Sequence, residues 1–205
     1  YILLVLVFLG MTVGGAKVMS TVGEGIAEVG DVIMAASLLT SATAIVLANY
    51  VRTPVSSHQA IVASLIGSAV ALGEAIDINT VAKIVASWII SPFSAIAFAI
   101  ATYWVIERVL ASVPALKAER IVRILLFIGG SIIAFNTGAN ELATALAPAI
   151  YGGAIGVIEG AAIGAVMLFL GARLVSIRVA ETVGKGITAL DPFSGFAAQF
   201  AAGLS

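Results

Sequence analysis

A polar stretch that contains one carboxylate interrupts an apolar part of the chain, at Asn136-Thr137-Gly138-Ala139-Asn140-Glu141. The oxygens of Asn136, Asn140 and Glu141 are suited to a hard cation such as Na⁺. A polar break inside an apolar run is tolerated in a membrane only where it faces protein or a water-filled cavity. The stretch therefore predicts a cation site. The alternative is a loop at the membrane surface between two helices.

A second polar stretch, Thr53-Pro54-Val55-Ser56-Ser57, precedes a short apolar segment. Threonine can cap a helix, and proline suits the first helical turn. The free backbone N–H groups at such a helix start, together with the serine hydroxyls, would suit an anion. The alternative is an ordinary capped helix at the membrane surface. His58 is predicted to lie at this helix start, without the partners that a metal site needs.

The composition indicates that membrane helices position these residues. Of the 205 residues, 61% are hydrophobic and only 10% are charged, whereas soluble domains carry about 25% charged residues. A net charge of −1 excludes a basic nucleic-acid-binding protein, and the absence of cysteine excludes thiolate chemistry. No nucleophile–base pair is visible, so an enzyme is not expected. The apolar runs lack the alternation of membrane strands, which predicts an all-α polytopic membrane protein.

Apolar runs predict the individual helices, because about 20 mostly apolar residues cross the hydrocarbon core. Segment 59–72 is too short to span and is predicted to be a half-helix or re-entrant segment. Glycines at 152, 156, 160 and 164 predict a face on which another helix packs closely. The other predicted segments are 1–16, 31–51, 81–111 with a kink at Pro92, 121–135, 141–150, 154–174 and 192–205.

Basic residues and an internal repeat predict the organisation of the chain. Arg108, Lys117, Arg120 and Arg123 surround segment 112–119 and place it in the cytoplasm. Residues 8–26 align without a gap with 169–187, at an offset of 161. That offset puts the first copy of stretch 136–141 before residue 1, so the chain is predicted to be a fragment. The predicted units are the remainder of a first repeat (1–111), a connecting loop (112–119) and the start of a second repeat (120–205).

Two stretches together resemble the signatures of the inorganic phosphate transporter family, the sodium- or proton-coupled PiT symporters. Gly138-Ala139-Asn140-Glu141-Leu142-Ala143-Thr144 is similar to the Gly-Ala-Asn-Asp-x-Ala-Asn signature. Pro54-Val55-Ser56-Ser57-His58 is similar to the Pro-x-Ser-Ser/Thr-Ser/Thr-His signature. The resemblance covers essentially the whole chain. It implies an all-α transmembrane transporter with inverted repeats and broken or re-entrant half-helices, in the plasma membrane, as a homodimer.

The chain departs from both signatures at positions that matter for binding. Glu141 stands where the family has aspartate, and Thr144 where it has the later asparagine. An ungapped alignment puts Gln59 rather than His58 at the family histidine. The resemblance implies that the substrate-binding residues are Ser56, Ser57, Gln59, Asn140 and Thr144, with Glu141 and Asn140 beside the coupling cation.

The predicted function is ion-coupled symport of inorganic phosphate by alternating access. The coupling ion would be Na⁺ or H⁺, with no other cofactor, and the remaining partner is the lipid bilayer. The resembled family also includes sulfate permeases, so sulfate is the first alternative substrate. A channel or passive pore, with Glu141 in a selectivity ring, is the alternative from another class.

Overall fold

A computed structural model describes residues 2–174 and 192–204, and every regular element in these ranges is helical. Two short π-helical segments, π1 (Gly10–Gly14) and π2 (Thr137–Leu142), lie within longer helical paths. The α-helices are α1 (Ile2–Leu9), α2 (Ala16–Gly23), α3 (Asp31–Tyr50), α4 (Ser57–Leu72), α5 (Ile78–Leu110), α6 (Ala115–Asn136), α7 (Ala143–Tyr151), α8 (Val157–Leu174) and α9 (Pro192–Leu204).

Four helical paths in the described ranges are long and apolar enough to cross a membrane. They are Asp31–Tyr50, Ile78–Leu110, Leu116–Tyr151 and Val157–Leu174. These confirm the predicted spans at 31–51, 81–111 and 154–174, although the last begins three residues later than expected. Helix α5 has 33 residues and runs through Pro92. Helix α4 has 16 residues, which agrees with the prediction of a short apolar helix.

The predicted break at 136–140 is wrong, because the helix continues from α6 through π2 into α7. A π turn takes in an extra residue while its backbone groups keep helical hydrogen-bond partners. The N–H of Ala143, for example, donates to the carbonyls of Gly138 and Asn140. A polar stretch can therefore lie at membrane depth without leaving backbone groups unpaired.

Two other predicted boundaries also differ from the structure. The first segment does not end at residue 16, since α1 and π1 are followed by α2 at a bend of 66°. The predicted loop 112–119 is mostly helical, because α6 begins at Ala115 directly after Pro114. Proline has no N–H to lose at a helix start, so it begins α6 at no cost in hydrogen bonds.

The buried core joins the bent segment formed by α1, π1 and α2 to the helices that follow it in the chain. Helix α2 packs on α7, α1 on α6 and α8, and α9 on α5 and α6. Gly160 and Gly164 of α8 lie against Leu146 and Leu142, as the predicted glycine face requires. Val7, Met11, Ile26 and Leu65 are among the fully buried side chains of this core.

The turn between α4 and α5 fixes the start of the long helix. Gly73 ends α4 with a φ of +77°, a left-handed conformation that glycine adopts without strain. Asp77 caps α5 by accepting hydrogen bonds from the Thr80 hydroxyl at 2.8 Å and the Asn79 N–H at 2.9 Å. These two bonds, the hydroxyl first, hold the pKa of Asp77 below its ordinary value.

Candidate functional site

A cavity of about 410 Å³ lies where four segments of the chain meet. A single water needs only roughly 10–15 Å³ of such a cavity, so the volume is ample for a hydrated inorganic ion. Polar and charged side chains from each segment reach its wall. The lining residues are Lys17, Val18, Thr21 and Val22 of α2, Ser56 and His58 at the start of α4, Ile84, Ser87, Trp88 and Ser91 of α5, and Asn140 and Glu141 of π2.

The two π segments pack directly against each other and thereby place Asn140 and Glu141 at the cavity. A Cβ atom on Gly10 would overlap the backbone carbonyl of Phe135, and one on Gly138 would overlap the carbonyl of Val7. Only glycine permits backbones to approach this closely. The carboxylate is thus held on a rigid helix at a tightly packed crossing.

The start of α4 contributes polar groups to the same cavity. Ser56 is the N-cap residue, and its hydroxyl accepts a hydrogen bond from the Gln59 N–H at 3.3 Å. The Ser57 hydroxyl donates to the carboxylate of Glu141. In the first turn of a helix the N–H groups lack intrahelical acceptors, so those of Ser57 and His58 remain free for a ligand. An anion would find both these donors and the positive end of the helix dipole.

Thr144 supports the cavity wall from behind, through its contact with the lining residue His58. Thr144 is completely buried, and its hydroxyl is 2.8 Å from Nδ1 of His58. The His58 ring lies edge-on to Trp88, with ring centroids 6.3 Å apart. These contacts connect α7, which carries Thr144, with α4 and α5. They fix the orientation of the α4 start relative to Glu141.

Not every predicted site residue reaches the cavity. Gln59 is exposed and contributes its backbone N–H to the Ser56 cap, while Thr144 is behind the wall. Asn136, predicted as a cation ligand, instead donates from its side chain to the carbonyl of Gly203 in α9. Ser57 meets the site through its bond to Glu141. The structure thus brings Ser56, Asn140 and Glu141 together at the cavity.

The family model for the phosphate transporter family matches residues 1–205. The chain belongs to this family. A solved structure of a sodium-dependent phosphate transporter has a TM-score of 0.71 to this chain at 20% sequence identity, covering 98% of this chain and 72% of that one. At that identity the likeness shows a shared fold. With family membership and apolar helices in agreement, the chain is an integral membrane protein.

Relatives in the phosphate transporter family include proteins named for different anions. A Methanocaldococcus jannaschii protein named as a phosphate permease is 35% identical over 169 residues, which are 82% of this chain and 53% of that protein. The sulfate permease CysP of Bacillus subtilis is 30% identical over 185 residues, which are 89% of this chain and 52% of that protein. The chain therefore spans about half the length of these two relatives.

The predicted repeat at offset 161 stays a prediction, because residues 175–187 of its second copy lie outside the described residues. The crossing of π1 and π2 is reciprocal, since Gly10 contacts the backbone of Phe135 and Gly138 contacts the backbone of Val7.

Sequence reasoning missed much of the cavity wall. His58 was expected at a helix start without a ligand role, and Lys17 was not singled out as a site residue. Ser87 and Ser91, one helical turn apart, lie on one face of α5 with Trp88 between them. That spacing was the available signal, because small polar residues on one face of a membrane helix face protein or water.

Proposed function

We propose that the full-length protein is an ion-coupled symporter of inorganic phosphate in the plasma membrane, working by alternating access, as a homodimer. The observation that carries this proposal is the cavity in which the start of α4 and Glu141 meet. Ser56 and the free N–H groups of Ser57 and His58 would bind the oxyanion. Asn140 and Glu141 would bind the coupling cation, Na⁺ or H⁺. Phosphate permeases and a sodium-dependent phosphate transporter among its relatives support this assignment.

Electrostatics explains why the two ions would travel together. A phosphate anion beside an ionised Glu141 would be repelled, and both charges would be costly in a largely apolar protein. A cation or proton on Glu141 removes that repulsion, so each ion raises the affinity for the other. The Ser57 hydroxyl, which bonds to Glu141, links the cation ligand directly to the helix start that would hold the anion.

Sulfate is the second candidate substrate. The relative from Bacillus subtilis, a sulfate permease, matches 89% of this chain at 30% identity. Sulfate and phosphate are both tetrahedral oxyanions, and the α4 donors would suit either one. Glu141, in place of the family aspartate, lines the cavity, and Thr144, in place of the later asparagine, lies directly behind its wall, so these positions are the proposed determinants of the choice.

Radiolabelled phosphate uptake into proteoliposomes containing the full-length protein tests this proposal. Imposed Na⁺ and H⁺ gradients are compared, with excess unlabelled sulfate as competitor. Phosphate accumulation that is driven by one of the two gradients and is insensitive to sulfate supports phosphate symport and identifies the coupling ion. Uptake abolished by sulfate, with labelled sulfate accumulated instead, supports the second candidate. Equilibration without accumulation under every gradient contradicts symport and supports a passive pore.

A matched pair of variants assigns the cation role. Glu141→Gln removes the carboxylate charge at the cavity, whereas Glu28→Gln removes one from an exposed residue that does not line it. We expect gradient-driven uptake to be lost in the first variant and kept in the second. Unchanged cation dependence in Glu141→Gln would contradict the cation role of this residue.

A further inference from the structure

Basic side chains are concentrated where α5 ends and α6 begins. Residues 103–123 hold four basic and two acidic side chains, a net charge of +2, whereas the rest of the chain holds six basic and nine acidic ones, a net charge of −3. The four basic residues are all exposed and together form the basic surface: Arg108, Lys117, Arg120 and Arg123. Trp88, which lines the candidate cavity, lies about 30 Å from Arg108 along α5. The basic surface is therefore separate from the candidate cavity.

The length of α5 places the basic surface at the edge of the hydrocarbon core. The helix has 33 residues and is about 50 Å long, whereas the hydrocarbon core is about 30 Å thick. Its uncharged part lies between Lys83 and Glu107. Trp104, one turn before Arg108, is 59% exposed, as is typical of an aromatic residue at the membrane interface. The last turn of α5 thus lies at the level of the lipid headgroups.

One face of the α5 end is buried and another faces outward. Ile106 and Leu110 belong to a buried apolar cluster with side chains from α6 and α9, which holds these helices together. On the outer face, the Arg108 guanidinium lies over the ring of Trp104, 5.3 Å from its centroid. This cation–π contact positions the charge beside the interfacial tryptophan.

The two acidic residues of this segment leave most of the positive charge available. Glu119 forms an ion pair with Arg123 at 2.9 Å. Glu107 lines a separate cavity of about 240 Å³ in the gap between α5 and α6. Successive residues of an α-helix point about 100° apart, so Glu107 does not share the face of Arg108. The other three basic residues form no ion pair with any residue that the structure describes.

From this arrangement we infer that the basic surface is a binding site for the headgroups of anionic phospholipids in the surrounding bilayer. Clusters of four or more basic residues beside a membrane helix are typical of such recognition. The lipid phosphates supply the negative charge, and Val109 and Leu116, both exposed beside the basic residues, contact the apolar part of the lipid. The inference requires only that the chain lies in a membrane, so it goes beyond the proposed transport function and does not depend on it.

The test measures lipid binding to the full-length protein in a neutral detergent by native mass spectrometry. Phosphatidylglycerol is compared with phosphatidylcholine of the same acyl chains. Arg108→Gln/Arg120→Gln removes two charges from the basic surface, and Lys83→Gln/Arg173→Gln removes two exposed charges elsewhere. Each basic residue near an anionic lipid surface corresponds to about a fivefold gain in affinity. We expect phosphatidylglycerol to bind more tightly than phosphatidylcholine, with a Kd that rises about 25-fold in the first double variant and less than about twofold in the second.

Two further variants separate position from charge. Trp104→Leu keeps every charge but removes the ring that positions Arg108. An exposed cation–π contact corresponds to about a two- to fivefold change in affinity, and we expect the Kd for phosphatidylglycerol to rise by that factor. Where the double variant fails to fold, Arg108→Gln and Arg120→Gln are measured singly, each with an expected rise of about fivefold.

Four outcomes overturn the inference. Equal affinity of the wild type for the two lipids removes the preference for negative charge. An unchanged Kd in Arg108→Gln and Arg120→Gln, together or singly, removes the site. An equal loss in Lys83→Gln/Arg173→Gln makes the effect one of overall charge. Displacement of the lipid by an equal concentration of soluble glycerol phosphate identifies free phosphate rather than a lipid as the ligand.

Discussion

Replacing Gly138 by alanine tests the close crossing of π1 and π2, which positions Glu141. A methyl group there would overlap the Val7 carbonyl and approach the Met11 amide nitrogen to 2.9 Å. Backbone atoms cannot rotate away as a flexible side chain can, so the two helices must separate. Overpacking of a well-packed site costs about 1–3 kcal/mol, and we expect that loss in the free energy of unfolding.

Gly67→Ala is the matched control, because a Cβ at Gly67 would meet no heavy atom within 4 Å. In a helix, alanine in place of glycine stabilises by up to about 1 kcal/mol. For a domain of 150–250 residues, about 1 kcal/mol shifts Tm by roughly 2–4 °C. On that scale Gly138→Ala lowers Tm by roughly 2–12 °C, while Gly67→Ala leaves it unchanged or raises it.

Thermal unfolding of the purified full-length protein in detergent, followed by tryptophan fluorescence, gives these Tm values. Gly10→Ala should behave like Gly138→Ala, since its Cβ would overlap the Phe135 carbonyl. Both variants should also lose uptake, because the displaced π2 segment carries Glu141. Equal Tm and uptake for Gly138→Ala and Gly67→Ala would refute the reasoning.

Three further predictions concern the supports of the site. Thr144→Val leaves His58 without its hydroxyl partner and should lower stability by about 1–3 kcal/mol in denaturant unfolding, whereas Thr144→Ser should not. Ser57→Ala removes the donor to Glu141 and should weaken cation dependence in uptake assays; an unchanged cation KM would contradict this. Because the pKa of Asp77 is lowered in the fold, its cap persists at neutral pH and is lost as pH falls through that lowered pKa. The hydrogen-exchange protection factor at the start of α5, which corrects for the intrinsic pH dependence of exchange, should therefore be constant above about pH 4 and fall below it, and in Asp77→Ala should be low throughout.

The spans were predictable from sequence because hydropathy over about 20 residues directly reflects the thickness of the bilayer. The continuous helix through π2 was not predictable in this way. A stretch with two asparagines and a glycine favours a break by local propensity, since these residues are poor helix formers. Packing of Gly138 against Val7 and the hydrogen bonds of the π turn override that preference.

The site was predictable where polar residues stand out in apolar sequence, as Ser56, Asn140 and Glu141 do. Its other residues depend on contacts between distant segments. Lys17 and His58 reach the cavity because α2 and α4 both pack on α7, and no local pattern encodes either contact. The repeat at offset 161 stays a prediction, because part of its second copy lies outside the described residues. The close crossing of Gly10 and Gly138, by contrast, appears only in three dimensions.

The central claim is that anion and cation bind in one cavity and are coupled through Glu141. The most direct test measures the phosphate KM of the full-length protein over a range of concentrations of the driving cation, for wild type and Glu141→Gln. The account predicts that the wild-type KM falls as the cation concentration rises, and that the KM of Glu141→Gln is insensitive to the cation. A KM with the same cation dependence in both proteins would contradict it.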